Sequence, residues 1–222
     1  MKTVIVIPVF NEEKHIAQVL KNLQKTKLPV VVVDDGSEDA TSLKLRGASK
    51  SKLKVLTHKI NLGKGAALKT GCDWAFDNGA QGVILMDSDG QHDPGDLSKF
   101  IKKLDEGYDV VFGSRNLNLG VPIDRYMGNK IASLLIGLLF GIYVSDLICG
   151  FKALTKKAYK KVRWESKGYS VETEIAIKTK KAKLKHCEVP VETIYYDSFK
   201  GVSVMDAFGV FNDIIKWYLG FK

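Results

Sequence analysis

The sequence predicts an α/β protein in which helices flank a Rossmann-like, largely parallel sheet. Through the first half of the chain, short β-branched runs alternate with amphipathic segments, and most successive runs are ten or more residues apart. Such spacing is typical of βαβ units rather than of hairpins. Four consecutive valines at 30–33 indicate a strand that is buried on both faces of the sheet.

The predicted elements alternate in order along the chain. The first helix carries Ile16, Leu20 and Leu23 on one face, as expected of a helix that covers a sheet. From about Asn116 the alternation fades, and we expect the remainder to be helical and basic. We predict strands at 4–7, 30–33, 54–57, 83–86 and 110–112, and helices at about 13–25, 66–77 and 97–104.

Length and composition limit the domain organisation. The chain has 222 residues, of which 45% are hydrophobic and 27% charged, and this excludes a disordered chain, a collagen-like fibre and a multispan membrane protein. No Pro- or Gly-rich linker and no internal repeat interrupts it. We therefore expect a single domain over 1–222, with a first half over 1–115 and a second half over 116–222.

The cysteines and the N-terminus bear on localisation. Cys72, Cys149 and Cys187 are odd in number and have no CxxC spacing, which favours a reducing compartment over a disulfide framework or a zinc site. The first apolar run is followed at once by Asn11-Glu12-Glu13, so we interpret it as a buried strand rather than a signal peptide. We expect a cytoplasmic protein.

Two carboxylates follow the strand predicted at 83–86. Asp87 and Asp89 are two residues apart, so in extended chain they point to the same side and repel each other unless a cation lies between them. Mg²⁺ or Mn²⁺ is the natural ion, and Gln91 adds a neutral oxygen ligand. The same residues also fit a turn with capping aspartates before Pro94.

Two further strand ends are polar. The segment 34–41 fits either a strand-to-helix turn with an Asx or Ser N-cap, or a carboxylate pair that binds ribose hydroxyls or a base edge. Gly63-Lys64-Gly65 is not a Walker motif, but a flexible lysine before a helix N-terminus can hold a diphosphate.

Seven motifs follow one another in a definite order. They are Pro8-x-x-Asn11-Glu12, Asp34-Asp35-Gly36-Ser37-x-Asp39-x-Thr41, Asn61-x-Gly63-Lys64-Gly65, Asp87-Ser88-Asp89-Gly90-Gln91-His92-Asp93-Pro94, Gly113-Ser114-Arg115, Asp146-x-x-x-Gly150-Phe151-Lys152 and Glu188-Val189-Pro190-Val191. In this order they resemble family 2 glycosyltransferases with the GT-A fold. Within that family the chain looks most like the polyprenyl-phosphate sugar transferases, such as dolichyl-phosphate mannose synthase.

The resemblance implies a role for each group of residues. The first half would bind the nucleotide-sugar, and the second half, with an amphipathic C-terminal helix, would face the acceptor. The implied nucleotide-sugar residues are Pro8, Phe10, Asn11, Glu12, Asp35, Ser37, Lys64, Asp87 and Ser88. The implied metal ligands are Asp87, Asp89 and Gln91, the catalytic residues Asp89, Arg115 and Asp146, and the acceptor-phosphate residues Arg115, Arg125 and Lys200.

The activity implied by the resemblance is the transfer of a hexose, with inversion, from GDP-mannose or UDP-glucose to a polyprenyl or dolichyl phosphate. A phosphate acceptor is already anionic and needs no general base. The alternative is transfer to a sugar hydroxyl, which requires a base among Asp146, Glu172 and Glu174. A nucleotidyltransferase with a similar sheet is a further alternative.

Two segments could contact a membrane. The apolar run 131–144 is shorter than the roughly 20 residues of a membrane span, so it predicts either a buried helix or an interfacial one. At the C-terminus, apolar residues recur at helical spacing, namely Val204, Phe208, Phe211, Ile215, Tyr218 and Leu219. A helix packed on the sheet fits this second pattern equally well.

The formal charge of +9 lies in one part of the chain. Residues 152–185 hold twelve Lys and Arg and only three acidic residues, so the whole excess is found there. A solvated helix surface or attraction to anionic lipid would explain it. Interleaved aromatic and basic residues, which nucleic-acid binding requires, are absent from the sequence. We predict a peripheral protein at the cytoplasmic face of a membrane, and the oligomeric state stays open.

Overall fold

The structure, a computed structural model, describes residues 1–48, 52–115, 123–192 and 204–220. Within these ranges seven strands form one sheet: β1 (Thr3–Val9), β2 (Val30–Asp34), β3 (Leu53–Thr57), β4 (Gly82–Leu85), β5 (Val110–Arg115), β6 (Lys152–Thr155) and β7 (His186–Val191). Their spatial order is β3-β2-β1-β4-β6-β5-β7. β6 is antiparallel to its neighbours β4 and β5, and every other pairing is parallel.

Helices lie on both faces of this sheet. In the described ranges they are α1 (Ile16–Leu23), α2 (Thr41–Gly47), α3 (Lys64–Asp77), α4 (Leu97–Asp105), α5 (Ile123–Phe140), α6 (Lys156–Val162), α7 (Val171–Lys181) and α8 (Val204–Tyr218). Short 3₁₀ turns follow α1 at Gln24–Thr26 and precede α4 at Pro94–Asp96.

The alternation of side chains along each strand divides the core into two layers. In β1, Val4 and Val6 join the layer covered by α3, α6 and α7, whereas Ile5 and Ile7 join the layer covered by α1, α2 and α4. All four valines at 30–33 are buried, as predicted for a strand covered on both faces.

The α/β class and the five predicted strands are confirmed. The structure also contains the three predicted helices; α4 begins at Leu97 as predicted, and the other two have different starting points. α1 begins at Ile16, because residues 12–15 form a turn in which His15 N–H donates to the Glu12 carbonyl. α3 begins at Lys64, directly after Gly63, whose φ of 94° only glycine adopts readily.

The expectation of a helical second half was wrong for two segments. β6 inserts between β4 and β5, so a strand from the second half lies within the sheet of the first half. It contains a lysine and only four residues, which is too little for a recognisable period. β7 contains Pro190, which is tolerated because β7 forms the edge of the sheet.

The apolar run at 131–144 does not form one helix. α5 ends at Phe140, and Gly141 follows with a φ of 70°, so Ile142 and Val144 lie beyond the helix, where both are buried. The described helices include none with the length and apolar character needed to cross a bilayer.

Candidate active site

The carboxyl ends of the parallel strands meet at one edge of the sheet. Phe10, Asp35 and Asp87 follow β1, β2 and β4, and Arg115 ends β5, so these residues share that edge. Because β6 runs the opposite way, the segment 146–151 that leads into it arrives at the same edge. The site therefore combines residues from both halves of the chain.

Asp87 lies at the centre of this edge. Its Oδ1 is 2.7 Å from Lys64 Nζ, and its side chain is 24% exposed. A β-carbon at Gly150 would lie only 2.2 Å from Asp87 Oδ2, so the carboxylate rests against a glycine backbone. Burial raises the pKa of Asp87, but the nearby ammonium group of Lys64 outweighs burial, and the pKa falls to about 2.

His92 supports Asp87 as a neutral ring. Its Nδ1 accepts a hydrogen bond from Asp87 N–H at 3.2 Å, so the ring proton lies on Nε2, which is 3.9 Å from Asp87 Oδ2. The ring stacks on Phe151 with centroids 4.7 Å apart. Burial lowers the pKa of His92 despite the two nearby aspartates. Sequence reasoning did not assign His92 a role.

Asp89 is the less stabilised carboxylate of the pair that it forms with Asp87. Burial, and then the charge of Asp87, raise the pKa of Asp89. Asp89 Oδ1 accepts from Gln91 N–H at 2.9 Å, which holds the turn that carries Gln91. Two carboxylates and an amide oxygen suit Mg²⁺ or Mn²⁺ and would leave coordination positions for a diphosphate. In the described ranges no group of three or more His, Cys, Asp or Glu residues is placed to hold a metal.

Lys64 lies between two carboxylates. Its Nζ lies 2.7 Å from Asp87 Oδ1 and 2.7 Å from Glu172 Oε1, and its side chain is 18% exposed. Burial lowers the pKa of Lys64, but the two carboxylates outweigh that effect and raise it well above its usual value. The lysine that the sequence assigned to a diphosphate therefore has two carboxylate partners.

A loop covers the N-terminus of α3. Gly65 N–H donates to the Lys167 carbonyl at 2.6 Å, and a β-carbon on Gly65 would lie 2.1 Å from the Ser166 carbonyl oxygen. Trp164 Nε1–H donates to the Gly65 carbonyl at 2.7 Å. The Gly65 N–H at this helix end is therefore already taken by a protein carbonyl.

Glu174 fixes that covering loop. Its carboxylate accepts from Glu165 N–H at 2.9 Å and from Ser166 N–H at 2.8 Å, and it pairs with Lys178 at 2.7 Å. Burial raises its pKa, but Lys178 and Ser166 outweigh burial and lower it. Glu174, one of the three candidate bases, therefore has a structural role.

Asp146 clamps Arg115. Its Oδ2 accepts from Arg115 Nε–H at 2.6 Å and from Arg115 N–H at 3.1 Å, and its Oδ1 accepts from a terminal guanidinium nitrogen at 2.9 Å. Asn129 Nδ2–H donates to the same Oδ1 at 2.9 Å, and Asp146 is 1% exposed. Both oxygens are engaged, so Asp146 orients Arg115 rather than accepting a proton from a substrate.

A second carboxylate holds the segment before Asp146. Glu188 Oε1 accepts from Ser145 N–H at 2.7 Å, its Oε2 accepts from Ser145 Oγ–H, and Ser145 Oγ lies 2.7 Å from Ser114 Oγ. The sequence pointed to Glu188 only as part of a motif and not to this function, because its partner lies on a different segment.

The loops after β1 and β2 brace each other. Asn11, with a left-handed φ of 52°, donates its N–H to Ser37 Oγ at 3.0 Å and accepts from Glu38 N–H at 2.9 Å. Glu12 N–H donates to Thr41 Oγ1 at 2.8 Å. Beside this brace the side chain of Phe10 is 42% exposed. The other two predicted nucleotide residues, Pro8 in β1 and Ser88 after β4, are buried.

Asp34, the last residue of β2, and Asp35, the residue after it, hold neighbouring loops through hydrogen bonds. Asp35 is 2% exposed, and it accepts from Gly63 N–H at 2.7 Å and from Leu62 N–H at 3.0 Å. His58 Nδ1 lies 2.6 Å from the same carboxylate. Asp34 accepts from Ser37 N–H, three residues further along the chain, at 3.1 Å. α2, which follows, has no side-chain N-cap.

Lys152 does not belong to the basic surface in which the sequence counted it. It is 1% exposed, and its Nζ donates to the Leu147 carbonyl at 3.4 Å and to the Cys149 carbonyl. Burial lowers its pKa. The buried ammonium thus secures the segment that brings Asp146 and Gly150 to the site.

Two residues predicted for the acceptor phosphate cannot be placed. Arg125 belongs to α5, but its side chain lies outside the described part of the chain, and Lys200 lies outside the described residues altogether. Their roles stay predictions.

Comparison with known proteins identifies the family. The model of glycosyl transferase family 2 matches residues 4–163, which include the carboxylate pair and Arg115. The chain belongs to glycosyl transferase family 2. The family predicted from the seven motifs is therefore confirmed.

The family 2 chain also resembles individual proteins. It is 34% identical to a UDP-N-acetylglucosamine–dolichyl-phosphate N-acetylglucosaminyltransferase of Methanococcus voltae, over 97% of this chain and 96% of that protein. It is 27% identical to a polyprenol monophosphomannose synthase of Mycolicibacterium smegmatis, over 97% and 85% of the two chains. The crystal structure of glucosyl-3-phosphoglycerate synthase from Mycobacterium tuberculosis matches with a TM-score of 0.77 at 19% identity, covering 100% of this chain and 81% of that one. The last similarity confirms the GT-A fold.

Proposed function

We propose that this protein transfers a hexosyl group, with inversion, from a nucleotide-diphosphate sugar to a polyprenyl or dolichyl phosphate. The observation that carries the proposal is that each of the three candidate bases is already bound by other groups of the protein. Asp146 and Glu174 use both oxygens on protein donors, and Glu172 is paired with Lys64. Because these carboxylates are already engaged, they are poorly suited to deprotonate a hydroxyl, whereas the guanidinium group of Arg115 can attract an anion. Both features suit an acceptor that is itself an anion. The relatives named for dolichyl phosphate and polyprenol support this choice.

The donor's diphosphate would lie at Asp87 and Asp89. Asp87, Asp89 and Gln91 would hold Mg²⁺ or Mn²⁺, which when bound neutralises the charge that develops on the departing diphosphate. Lys64 and Arg115 add positive charge at the same edge of the sheet, and the clamp of Asp146 means that Arg115 needs no reorientation during the reaction. In-line attack by the acceptor phosphate gives inversion.

A lipid acceptor requires contact with a membrane, and we propose a surface for it. α5 exposes Met127, Ile131, Leu134 and Leu138, a run at helical spacing, and we call these four residues the apolar stripe. α8 packs beside α5, and a second apolar set is exposed on α8 and directly after it, namely Phe211, Ile215 and Tyr218 on the helix and Leu219 beyond its end. Lys181, the last residue of α7, lies beside the end of α5, with its Nζ 5.6 Å from the centre of the Phe140 ring. Apolar side chains beside lysines suit an anionic, cytoplasmic leaflet.

One specific observation favours a second candidate, transfer to a sugar hydroxyl. Glu172 Oε2 is buried and has no hydrogen-bond partner among the described residues, so this oxygen is available to take a proton from a sugar hydroxyl. The other oxygen of Glu172 is paired with Lys64, and for this reason we rank the candidate second.

Radiolabelled sugar separates the two candidates. The protein is incubated with GDP-mannose, UDP-glucose or UDP-N-acetylglucosamine and either polyprenyl phosphate or an oligosaccharide, with Mg²⁺, Mn²⁺ or EDTA. We expect label in the lipid phase, only with metal, and a product of inverted configuration. Label in the oligosaccharide alone would support the second candidate, and label that moves with the nucleotide would mean a nucleotidyltransferase.

A further inference from the structure

Lys64 joins two carboxylates that come from distant parts of the chain. Asp87 follows β4, and Glu172 lies in the first turn of α7, yet each has an oxygen 2.7 Å from Lys64 Nζ. Glu172 is 4% exposed. One ammonium group therefore serves a carboxylate at the candidate metal site and a buried carboxylate behind it.

Glu172 has capacity for a stronger contact. Its Oε2 is buried and makes no hydrogen bond within the described ranges, although an ionised oxygen normally accepts several. A buried acceptor without a donor is costly, and an ammonium group carries three donors. A small movement of Nζ from Asp87 towards Glu172 would satisfy this oxygen.

Lys64 and a divalent cation compete for the same atom. Asp87 Oδ1, which Lys64 now contacts, belongs to a carboxylate implied as a metal ligand. Two cations cannot share one carboxylate oxygen without strong repulsion in a partly buried site. When the metal arrives, the ammonium needs a second anionic partner nearby, and Glu172 is already in contact with it.

We propose that Lys64 is the counter-cation of Asp87 in the metal-free protein, and that metal binding transfers the ammonium to Glu172. Glu172 is then a positioning residue that sets metal affinity by drawing Lys64 away from Asp87. This inference rests on the metal dependence in the proposed function, and it adds a role for Glu172 that the activity alone does not require.

The proposal predicts opposite effects for two substitutions. Glu172→Gln removes one of the two negative charges that Lys64 contacts. Lys64 is then held more tightly by Asp87, and Mn²⁺ must compete with this stronger contact. Loss of a charge-assisted hydrogen bond corresponds to about a tenfold weaker affinity. Lys64→Met removes the competing cation, so Mn²⁺ binds more tightly than in the wild type.

A double-mutant cycle on Mn²⁺ binding tests the exchange. Free Mn²⁺ is measured by electron paramagnetic resonance with the wild type, Glu172→Gln, Lys64→Met and the double variant. We expect Glu172→Gln to weaken binding about tenfold when Lys64 is present and to have no effect in the Lys64→Met protein. If Glu172→Gln weakens Mn²⁺ binding equally with and without Lys64, then Glu172 acts through its own charge rather than through Lys64, and this would overturn the proposal. Absence of Mn²⁺ binding by the wild type would overturn it too.

Two further measurements keep the test decisive. Asp73→Asn removes one negative charge nine residues along α3, about 13 Å from Lys64, and should leave Mn²⁺ binding unchanged. If Lys64→Met does not fold, a crystal structure of the wild type with Mn²⁺ decides the matter. We expect Nζ to leave hydrogen-bond distance of Asp87 and to keep Glu172, and an unchanged contact with Asp87 would refute the exchange.

The sugar-transfer assay is scored separately from Mn²⁺ binding. Transfer to polyprenyl phosphate without coupling in the cycle would refute the exchange and leave the proposed function intact. Coupling between Glu172 and Lys64 in the cycle, without transfer to polyprenyl phosphate, would support the exchange and refute the proposed function.

Discussion

Gly150 lies so close to the carboxylate of Asp87 that a β-carbon at position 150 would come within 2.2 Å of Asp87 Oδ2. The segment that leads into β6 thus forms a wall for a side chain that follows β4. Only a residue without a side chain fits this contact, since the clash would involve a carboxylate already bound to Lys64. The pair links the first and second halves of the chain at the candidate metal site.

Gly150→Ala should therefore displace the carboxylate of Asp87. We expect the rise in melting temperature that Mn²⁺ and a donor sugar produce together to fall, with affinity about tenfold weaker or more, the scale of a lost charge-assisted contact. Gly128→Ala is the control, because a β-carbon there meets nothing within 4 Å. An unchanged thermal shift in Gly150→Ala would contradict the role assigned to Asp87.

Asp146→Asn should reveal a clamp rather than a base. The amide presents a donor to Arg115 and Asn129 and removes the charge, so we expect the free energy of unfolding to fall by about 3–5 kcal/mol, as for other broken buried pairs. Urea denaturation measures this loss. Asp73→Asn breaks the similar pair with Arg163, whose side chains are 38% and 51% exposed, and should cost about 1 kcal/mol or less. Equal losses in the two variants would argue against the clamp.

The raised pKa of Asp89 predicts a trade-off between stability and metal binding. A carboxyl whose pKa is higher in the folded than in the unfolded protein stabilises the fold below the unfolded pKa of 3.8, and this contribution is lost as the pH rises through the folded pKa. Without metal, Asp89→Asn should therefore increase the free energy of unfolding at neutral pH and lose this advantage in acid. The same substitution should abolish Mn²⁺ binding.

Asp93→Asn, in the same turn, is the control for Asp89→Asn. Its side chain caps Gly95 N–H at 2.9 Å, and asparagine caps equally well, so we expect a change within about 0.5 kcal/mol at either pH. A loss of stability in Asp89→Asn at neutral pH would count against the repulsion between Asp87 and Asp89.

Leu138→Asp should impair membrane binding. Leu138 is 75% exposed on the apolar stripe, so the change removes apolar contact and adds repulsion from anionic lipid. Flotation with vesicles containing phosphatidylglycerol measures the bound fraction, which we expect to fall several-fold and to decline further with salt. Leu43→Asp is matched in chemistry, because Leu43 is 72% exposed on α2, and it should bind as the wild type does. Equal binding by both variants would refute the docking surface.

The parts of the fold that could be predicted have local signals. The valines of β2 and the polar turns after each strand are continuous in sequence, so the strands, the parallel sheet and the motif order were predicted and are present. β6 and β7 were missed, since β6 has four residues around a lysine and β7 contains a proline. Their strand conformation follows from pairing with β4 and β5, which no local window contains.

The candidate site shows the same division. The sequence located Asp87, Lys64, Arg115 and Asp146, but it did not show which side chains pair. Lys64 meets Glu172 and Arg115 meets Asp146 only when distant segments fold together. Lys152 was counted as surface charge, since nothing in its neighbours along the chain indicates burial.

The family and the carboxylate pair could be predicted from the sequence, because the motifs at the strand ends are short, local and ordered along the chain. Which polar atoms remain for ligands became clear only from the folded protein. Asp35 and Asp146 direct their oxygens to protein donors, whereas burial and the neighbouring negative charge of Asp87 raise the pKa of Asp89. The physical reason is that a buried polar atom must find a partner, and the partner it finds depends on segments brought together by the sheet.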